Sequence, residues 1–258
     1  MSPFTLPKPL LGDVTAITIT SPNLDDSLQF YEQLGFKELF RADFPFPWLQ
    51  ITDGALLIML RQDNNPYIAL TYYCKEIDKV VAQLQQAAIV AKSIPTPSPD
   101  IKRYLIQSPD GLNITLVTHV DGFVQPPGPT MLTMPQQDYF DPEKYVNKSC
   151  GLYGEFAHPV TDLDQSIDFW EKLGFQSMSK FTSPYPWAIL SDGLAVVGLH
   201  QTQHFTQPII TYFAKDMKEK IEKLKESRIK EYLPTEVSVN ITLTTPEKQH
   251  INLFKLGM

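Results

Sequence analysis

Two stretches of this chain, 139 residues apart, are nearly the same. Leu24-Asp-Asp-Ser-Leu-Gln-Phe-Tyr-Glu-Gln-Leu-Gly-Phe36 returns as Leu163-Asp-Gln-Ser-Ile-Asp-Phe-Trp-Glu-Lys-Leu-Gly-Phe175, identical at 8 of 13 positions. Downstream, Pro45-Phe-Pro-Trp48 matches Pro184-Tyr-Pro-Trp187, and Asp53-Gly54 matches Asp192-Gly193. Leu70-Thr-Tyr-Tyr-Cys-Lys-Glu-Ile77 matches Ile210-Thr-Tyr-Phe-Ala-Lys-Asp-Met217. So long a period is too large for the stacked units of a solenoid and fits two tandem copies of one small domain. The repeat is also an internal control. A residue kept in both copies can serve the fold, whereas a chemical residue in only one copy needs another reason.

The 258 residues divide into copies at 13–120 and 151–258. Each is long enough to bury a core without staples. Residues 121–150 match neither copy and carry Gln125-Pro-Pro-Gly-Pro129, Met134-Pro135 and Asp141-Pro142. Prolines at this density oppose regular strand pairing, so an extended linker packed across the surface is expected. The net charge of −7 argues against a nucleic-acid partner or an anionic membrane surface. No apolar run approaches the length of a bilayer span. The one densely basic stretch, Lys215 to Lys230, interleaves acids at helical spacing and reads as a solvated helix face. The two cysteines, Cys74 and Cys150, do not make a disulfide framework, and Cys74 aligns with Ala214 as a space-filling residue would. With no apolar signal core at the amino terminus, a reducing, cytoplasmic setting is expected.

Each copy opens with a strand, Val14–Thr20 or Glu155–Val160, and a helix capped by Asn23 or Asp162. Asp26 or Gln165 at the third helical position comes close to a capping box. Leu24, Leu28, Tyr31 and Leu34 supply a buried stripe at helical spacing. Gly35 and Gly174 stand where a left-handed stop is expected. Strands near 36–42, 48–52 and 55–61 follow, and the two Asp-Gly pairs read as tight hairpin turns. A further strand (67–73; 208–214) leads to a second helix. Final strands lie near 101–107 and 112–118, and near 238–244 and 249–255. The pattern strand, helix, strands is used twice per copy, giving four modules.

Asn23-Leu-Asp-Asp-Ser…Phe30-Tyr31…Leu34-Gly-Phe36 and Asp162-Leu-Asp-Gln-Ser…Phe169-Trp170…Leu173-Gly-Phe175 resemble the vicinal oxygen chelate superfamily. That superfamily includes glyoxalases, bleomycin-type resistance proteins and extradiol dioxygenases. Ser108-Pro-Asp-Gly-Leu-Asn-Ile-Thr-Leu116 looks like its closing strand, and Thr245-Pro-Glu-Lys-Gln-His-Ile-Asn-Leu253 is a weaker version. The resemblance covers nearly all of both copies. It implies an α+β fold of tandem duplicated domains, each of two βαβββ modules, with mixed, mostly antiparallel sheets cupped around a pocket. Activity does not follow from it, because the superfamily hosts many chemistries. Its usual metal ligands can be placed residue by residue. A first-strand His corresponds to Ala16 and Glu155, and a His opening the second module to Tyr67 and Gln207. A closing-strand Glu corresponds to Thr115 and Asn252, and a hairpin-strand Glu of glyoxalases roughly to Met59 and Gly198. Copy one retains no usual ligand. Copy two has one carboxylate where an imidazole is usual. The two-His, one-Glu dioxygenase pattern is absent, and no cofactor is expected.

Strand alternation sorts the remaining polar residues by face. Ile17 and Ile19 point toward the helices, so Ala16, Thr18 and Thr20 point into the cup. In copy two, His158 then lies on the packing side as a structural residue, while Glu155 faces the cup. On the closing strand His250, Asn252 and Phe254 face inward, and His200 shares a face with Gly198. The second cup is expected to hold Glu155, His200, Gln207, His250 and Asn252; the first holds Ala16, Arg61, Tyr67, Asn113 and Thr115. Four of the five histidines fall in copy two, so any active pocket is expected there, with copy one as a structural partner. Trp48 and Trp187 either line the cup mouths and stack on a flat ligand or serve the core. Two functions fit. One is a small-molecule-binding protein with a degenerate metal site, with Gln207, Asn252, Phe254 and Trp187 contacting the small organic ligand. The other is a lyase, isomerase or dioxygenase-like enzyme in which Glu155, His200 and His250 act as acid–base groups or hold a nonstandard divalent metal. No phosphate loop, nucleophile elbow or paired-Cys motif is present. Tandem copies can pair with each other, which leaves both a monomer and a homodimer open.

Overall fold

In the computed structural model, which describes residues 5–63 and 65–257, the first copy runs β1 (Val14–Thr20), α1 (Leu24–Gln33), β2 (Lys37–Ala42), β3 (Trp48–Thr52) and β4 (Leu57–Arg61). It continues with β5 (Ile68–Cys74), α2 (Ile77–Gln86), β6 (Lys92–Ser93), β7 (Arg103–Gln107) and β8 (Asn113–Thr118). The second copy repeats this as β9 (Leu152–Pro159), α3 (Leu163–Lys172), β10 (Gln176–Phe181), β11 (Trp187–Ser191) and β12 (Val196–His200). Then come β13 (Ile209–Ala214), α4 (Met217–Lys225), β14 (Ile241–Thr244) and β15 (His250–Lys255). The first helix of each copy starts where its cap requires. Asn23 Oδ1 accepts the N–H groups of Asp25 (2.9 Å) and Asp26 (3.2 Å), and Asp162 Oδ1 accepts that of Gln165 (3.0 Å).

The first sheet has the order β2-β3-β4-β1-β5-β8-β7-β6 and the second β10-β11-β12-β9-β13-β15-β14. Within each module one pair is parallel (β1 with β4, β5 with β8) and the rest are antiparallel, so the sheets are mixed. This is the expected βαβββ arrangement with one difference: the fourth module has two strands after its helix among the described residues. Pro234 in the intervening stretch lacks the N–H that a ladder needs. That stretch forms a short 3₁₀ turn at Lys230–Tyr232 instead, and Tyr232 packs edge-on against Phe30 of the other copy at 4.9 Å.

A single apolar core joins the copies. Ile17, Tyr31 and Tyr72 of the first, Phe156, Trp170 and Tyr212 of the second, and Leu132, Met134 and Tyr145 of the linker all belong to it. The polar contacts across the junction come in reciprocal pairs. Tyr72 donates to Asp192 Oδ2 (2.7 Å), and its counterpart Tyr212 donates to Asp53 Oδ2 (2.6 Å). Asp110 accepts from Ser166 Oγ (2.5 Å), and Glu247 accepts from the matching Ser27. The Asp-Gly turns expected only to reverse the chain therefore also anchor one copy to the other.

The linker is less extended than its prolines suggest. It forms two 3₁₀ turns, Gln136–Asp138 and Pro142–Lys144, and Asn147 reaches the first copy at Leu34 O and Asp53 Oδ2, both 3.0 Å. It also corrects the reading of the basic helix as wholly solvated. Lys220 is 5% exposed and donates to Lys148 O at 2.6 Å, because the end of the linker crosses α4. No helix among the described residues is long and apolar enough to cross a membrane.

Candidate functional site

The strand registers place equivalent residues side by side. Thr211 on β13 stands between Glu155 on β9 and Asn252 on β15, just as Thr71 stands between Ala16 and Thr115. Trp187 faces His200 across β11 and β12, as Trp48 faces Arg61. Thus the second cup exchanges the apolar floor of the first, which includes Ala16, Met59 and Tyr73, for a carboxylate on β9 and a glycine on β12.

Two glycines make room for that carboxylate. β9 bulges at Gly154, where the register slips between the Thr211 and Tyr212 pairs; a Cβ there would meet the Phe213 ring at 2.5 Å. A bulge bends its strand and re-aims the next side chain, here Glu155. On the neighbouring strand a Cβ on Gly198 would stand 1.8 Å from Glu155 Oε2 and 2.8 Å from His200 Nε2. Glu155 is buried and lies with Oε1 3.1 Å from His200 Nε2. Among the described residues its Oε2 has no partner, and neither does the Thr211 hydroxyl on the adjoining strand.

His200 is fixed on its remaining sides. Its ring stacks on Trp187 (5.5 Å, 5°) and meets the edge of Phe205 at 5.6 Å. Tyr185 Oη lies 3.3 Å from Nδ1. One neutral tautomer satisfies both contacts: Tyr185 donates to Nδ1 and Nε2–H donates to Glu155. Burial, with the charge of Glu155 behind it, raises the pKa of the half-buried Tyr185. The result is a Tyr–His–Glu chain that runs from the half-buried Tyr185 to a buried carboxylate oxygen still able to accept a hydrogen bond or a proton.

The other candidate residues do not join this chain. His250 is on the inward face, but β13 separates its strand from β9, and it bonds to neither Glu155 nor His200. Among the described residues no three His, Cys, Asp or Glu side chains converge as a metal ion requires, so Glu155, His200 and His250 are not assembled as a ligand set. Gln207 Nε2 donates to Lys248 O (3.1 Å), Asn252 Oδ1 accepts from Thr242 Oγ1 (2.7 Å), and Phe254 lies against Phe213 at 6.3 Å. Trp187 stacks on Phe181 (4.2 Å) and donates Nε1–H to Ser183 O (3.2 Å). His158 is buried with neither ring nitrogen bonded among the described residues. Tyr185 went unrecognised in the sequence, although the repeat carried the signal: copy one has Phe46 at that place, so the hydroxyl occurs once. Thr211, present in both copies, gave no such sign.

Residues 14–116 match the family model described as the Glyoxalase/Bleomycin resistance protein/Dioxygenase superfamily. That match covers the first copy, from β1 into β8. Among solved structures it is similar to homoprotocatechuate 2,3-dioxygenase from Arthrobacter globiformis, at 12% identity and a TM-score of 0.62, over 98% of this chain and 82% of that one. It is also similar to the 2,3-dioxygenase LapB from Pseudomonas sp. KL28, at 15% identity and a TM-score of 0.59, over 96% and 94% of the respective chains. At such identities the likeness shows the fold alone. No curated protein matches the sequence. The residues at the superfamily's usual metal positions do not fit an ion. Ala16 is apolar, the Tyr67 and Thr115 hydroxyls bond each other, and Gln207 and Asn252 are engaged elsewhere.

Proposed function

We propose that the second cup binds a small organic molecule without a metal, with Glu155 as its polar anchor. The observation that carries this reading is the pair of buried oxygens on adjacent strands, the Glu155 Oε2 acceptor and the Thr211 hydroxyl, that no group among the described residues satisfies. A buried polar atom left unpaired costs about 1–3 kcal/mol, which a ligand carrying an amine or hydroxyl donor would recover. Trp187 and Phe181 at the half-exposed side of the cup supply a surface for a flat apolar body. The ligand expected is thus a small flat molecule with a donor at one end.

A second reading rests on the Tyr185–His200–Glu155 chain: metal-free acid–base catalysis of the lyase or isomerase type. Glu155 would take a proton from the bound molecule at Oε2 while His200 holds the carboxylate in place.

Tyramine, which joins an ammonium to a flat ring, is a suitable probe for isothermal titration. Binding to the wild type should weaken about tenfold or more in Glu155→Gln, because a charge-assisted bond is lost. Equal affinity in the two proteins would sink the anchor assignment. For the catalytic reading, the measurement is deuterium exchange into acidic C–H groups of a carbonyl-compound panel. Acceleration by the wild type and not by Glu155→Gln is the expected result, and no acceleration retires it.

A further inference from the structure

We propose that the first cup is a second binding site, for a small organic carboxylate. Arg61 at the end of β4 occupies the place that His200 has in the other copy. Its guanidinium carbon lies 4.9 Å from the Phe46 ring centre and 4.8 Å from that of Tyr67. Arg103 enters from β7 and reaches the same Tyr67 ring at 5.6 Å. In the sheet order β4 and β7 are separated by β1, β5 and β8, so only the curl of the sheet brings these two cations to one ring.

Their charges are not balanced. Asp63 pairs with Arg61, both largely buried. Arg103 makes no ion pair among the described residues, and its Nε is buried without a partner. Gln50 Nε2, on the inward face of β3, is buried and also without a partner among the described residues. The Tyr67 hydroxyl is occupied by Thr115, leaving the ring as a platform for the guanidinium groups. Two guanidinium groups against one carboxylate leave one positive charge in excess, on the half-buried Arg103, which an anion would offset.

A carboxylate brings one negative charge and the planar, two-oxygen edge that an arginine fork matches. A phosphate dianion would overshoot the balance. Phe46 and Trp48 beside Arg61 suit an apolar body on the same molecule. The two cups then have opposite preferences: unsatisfied donors and positive charge in the first, an unsatisfied carboxylate oxygen in the second.

The test compares benzoate, benzyl alcohol and inorganic phosphate by isothermal titration against the full chain, Arg103→Met and Glu155→Gln. Circular dichroism establishes that each variant is folded. Benzoate should bind the wild type, lose about tenfold or more in affinity in Arg103→Met, and be unaffected by Glu155→Gln. That last variant separates this site from the second cup, so either can fail alone. Benzyl alcohol should bind far more weakly than benzoate. Should Arg103→Met not fold, Arg103→Lys keeps the charge but removes the fork and should still weaken benzoate. No benzoate binding, or affinity indifferent to both Arg103 substitutions, would overturn the proposal. Phosphate binding as tightly as benzoate would overturn the carboxylate assignment.

Discussion

His158 is an imidazole with no partner for a proton among the described residues. It is 4% exposed, and burial lowers its pKa from 6.5 to about 4, with the charge of Asp110 opposing only part of the shift. In the unfolded chain the same ring takes up a proton near pH 6.5, while the folded chain resists until about pH 4. The unfolded state therefore binds more protons in that window, and stability must fall as pH drops through it. The contribution is fully present above pH 6.5, and about 3 kcal/mol of it is lost by pH 4. Urea titrations from pH 7 to pH 4 should show a steeper loss for the wild type than for His158→Leu. Parallel curves would mean that His158 does not titrate as its burial requires. Strand alternation in the sequence placed this ring on the packing side, and that placement is legible because a period of two fixes the face. Its missing hydrogen bonds were not legible, since they depend on which side chains of distant elements come near. The same limit explains Tyr185. A hydroxyl unique to one copy was visible in the sequence, but its approach to His200 is set by the turn before β11.

At the scale of elements, the two Asp-Gly turns are more than reversals. Asp192 is held by Tyr72 and by the N–H groups of Leu194 and Ala195; burial raises its pKa and these hydrogen bonds counter the rise. Asp53 is held by Tyr212 and also by Asn147 from the linker. Removing either tyrosine hydroxyl leaves a buried carboxylate oxygen short of a donor, at about 1.5–3 kcal/mol for a bond to a charged group. Tyr72→Phe should be the more damaging variant, because Asp53 Oδ2 keeps Asn147 while Asp192 Oδ2 has Tyr72 as its one side-chain donor among the described residues. Chemical denaturation checks the order, and a larger loss in Tyr212→Phe would contradict it. The turns themselves, and strands such as Val14–Thr20 and Trp48–Thr52, were readable from alternation and turn chemistry. The bulge at Gly154 was not. It shifts the pairing by one residue, and its one sign is Gly154 itself, which marks a bulge only once the strand is known to reach back to Leu152.

At the scale of the molecule, the question is whether two copies make two folding units or one. The repeat and the linker suggest two. The core argues for one, since residues of both copies and of the linker form a continuous apolar cluster. Aspartates of each copy are bonded by tyrosines of the other, and Phe30 of one packs on Tyr232 of the other. Separating the copies would expose the helix-side core of both and strand four buried or half-buried carboxylates. Neither copy then has a stable state to populate while the other is unfolded. Calorimetry should show one transition whose van't Hoff enthalpy equals the calorimetric value, about 180 kcal/mol for a chain of this length near 60 °C. If each copy melted alone, the van't Hoff enthalpy would be about half the total. That outcome would mean the reciprocal contacts only dock two finished domains. The single transition would instead make the second cup's geometry depend on the first copy. Its Glu155 lies on β9, whose core face includes Phe156, part of the same shared core.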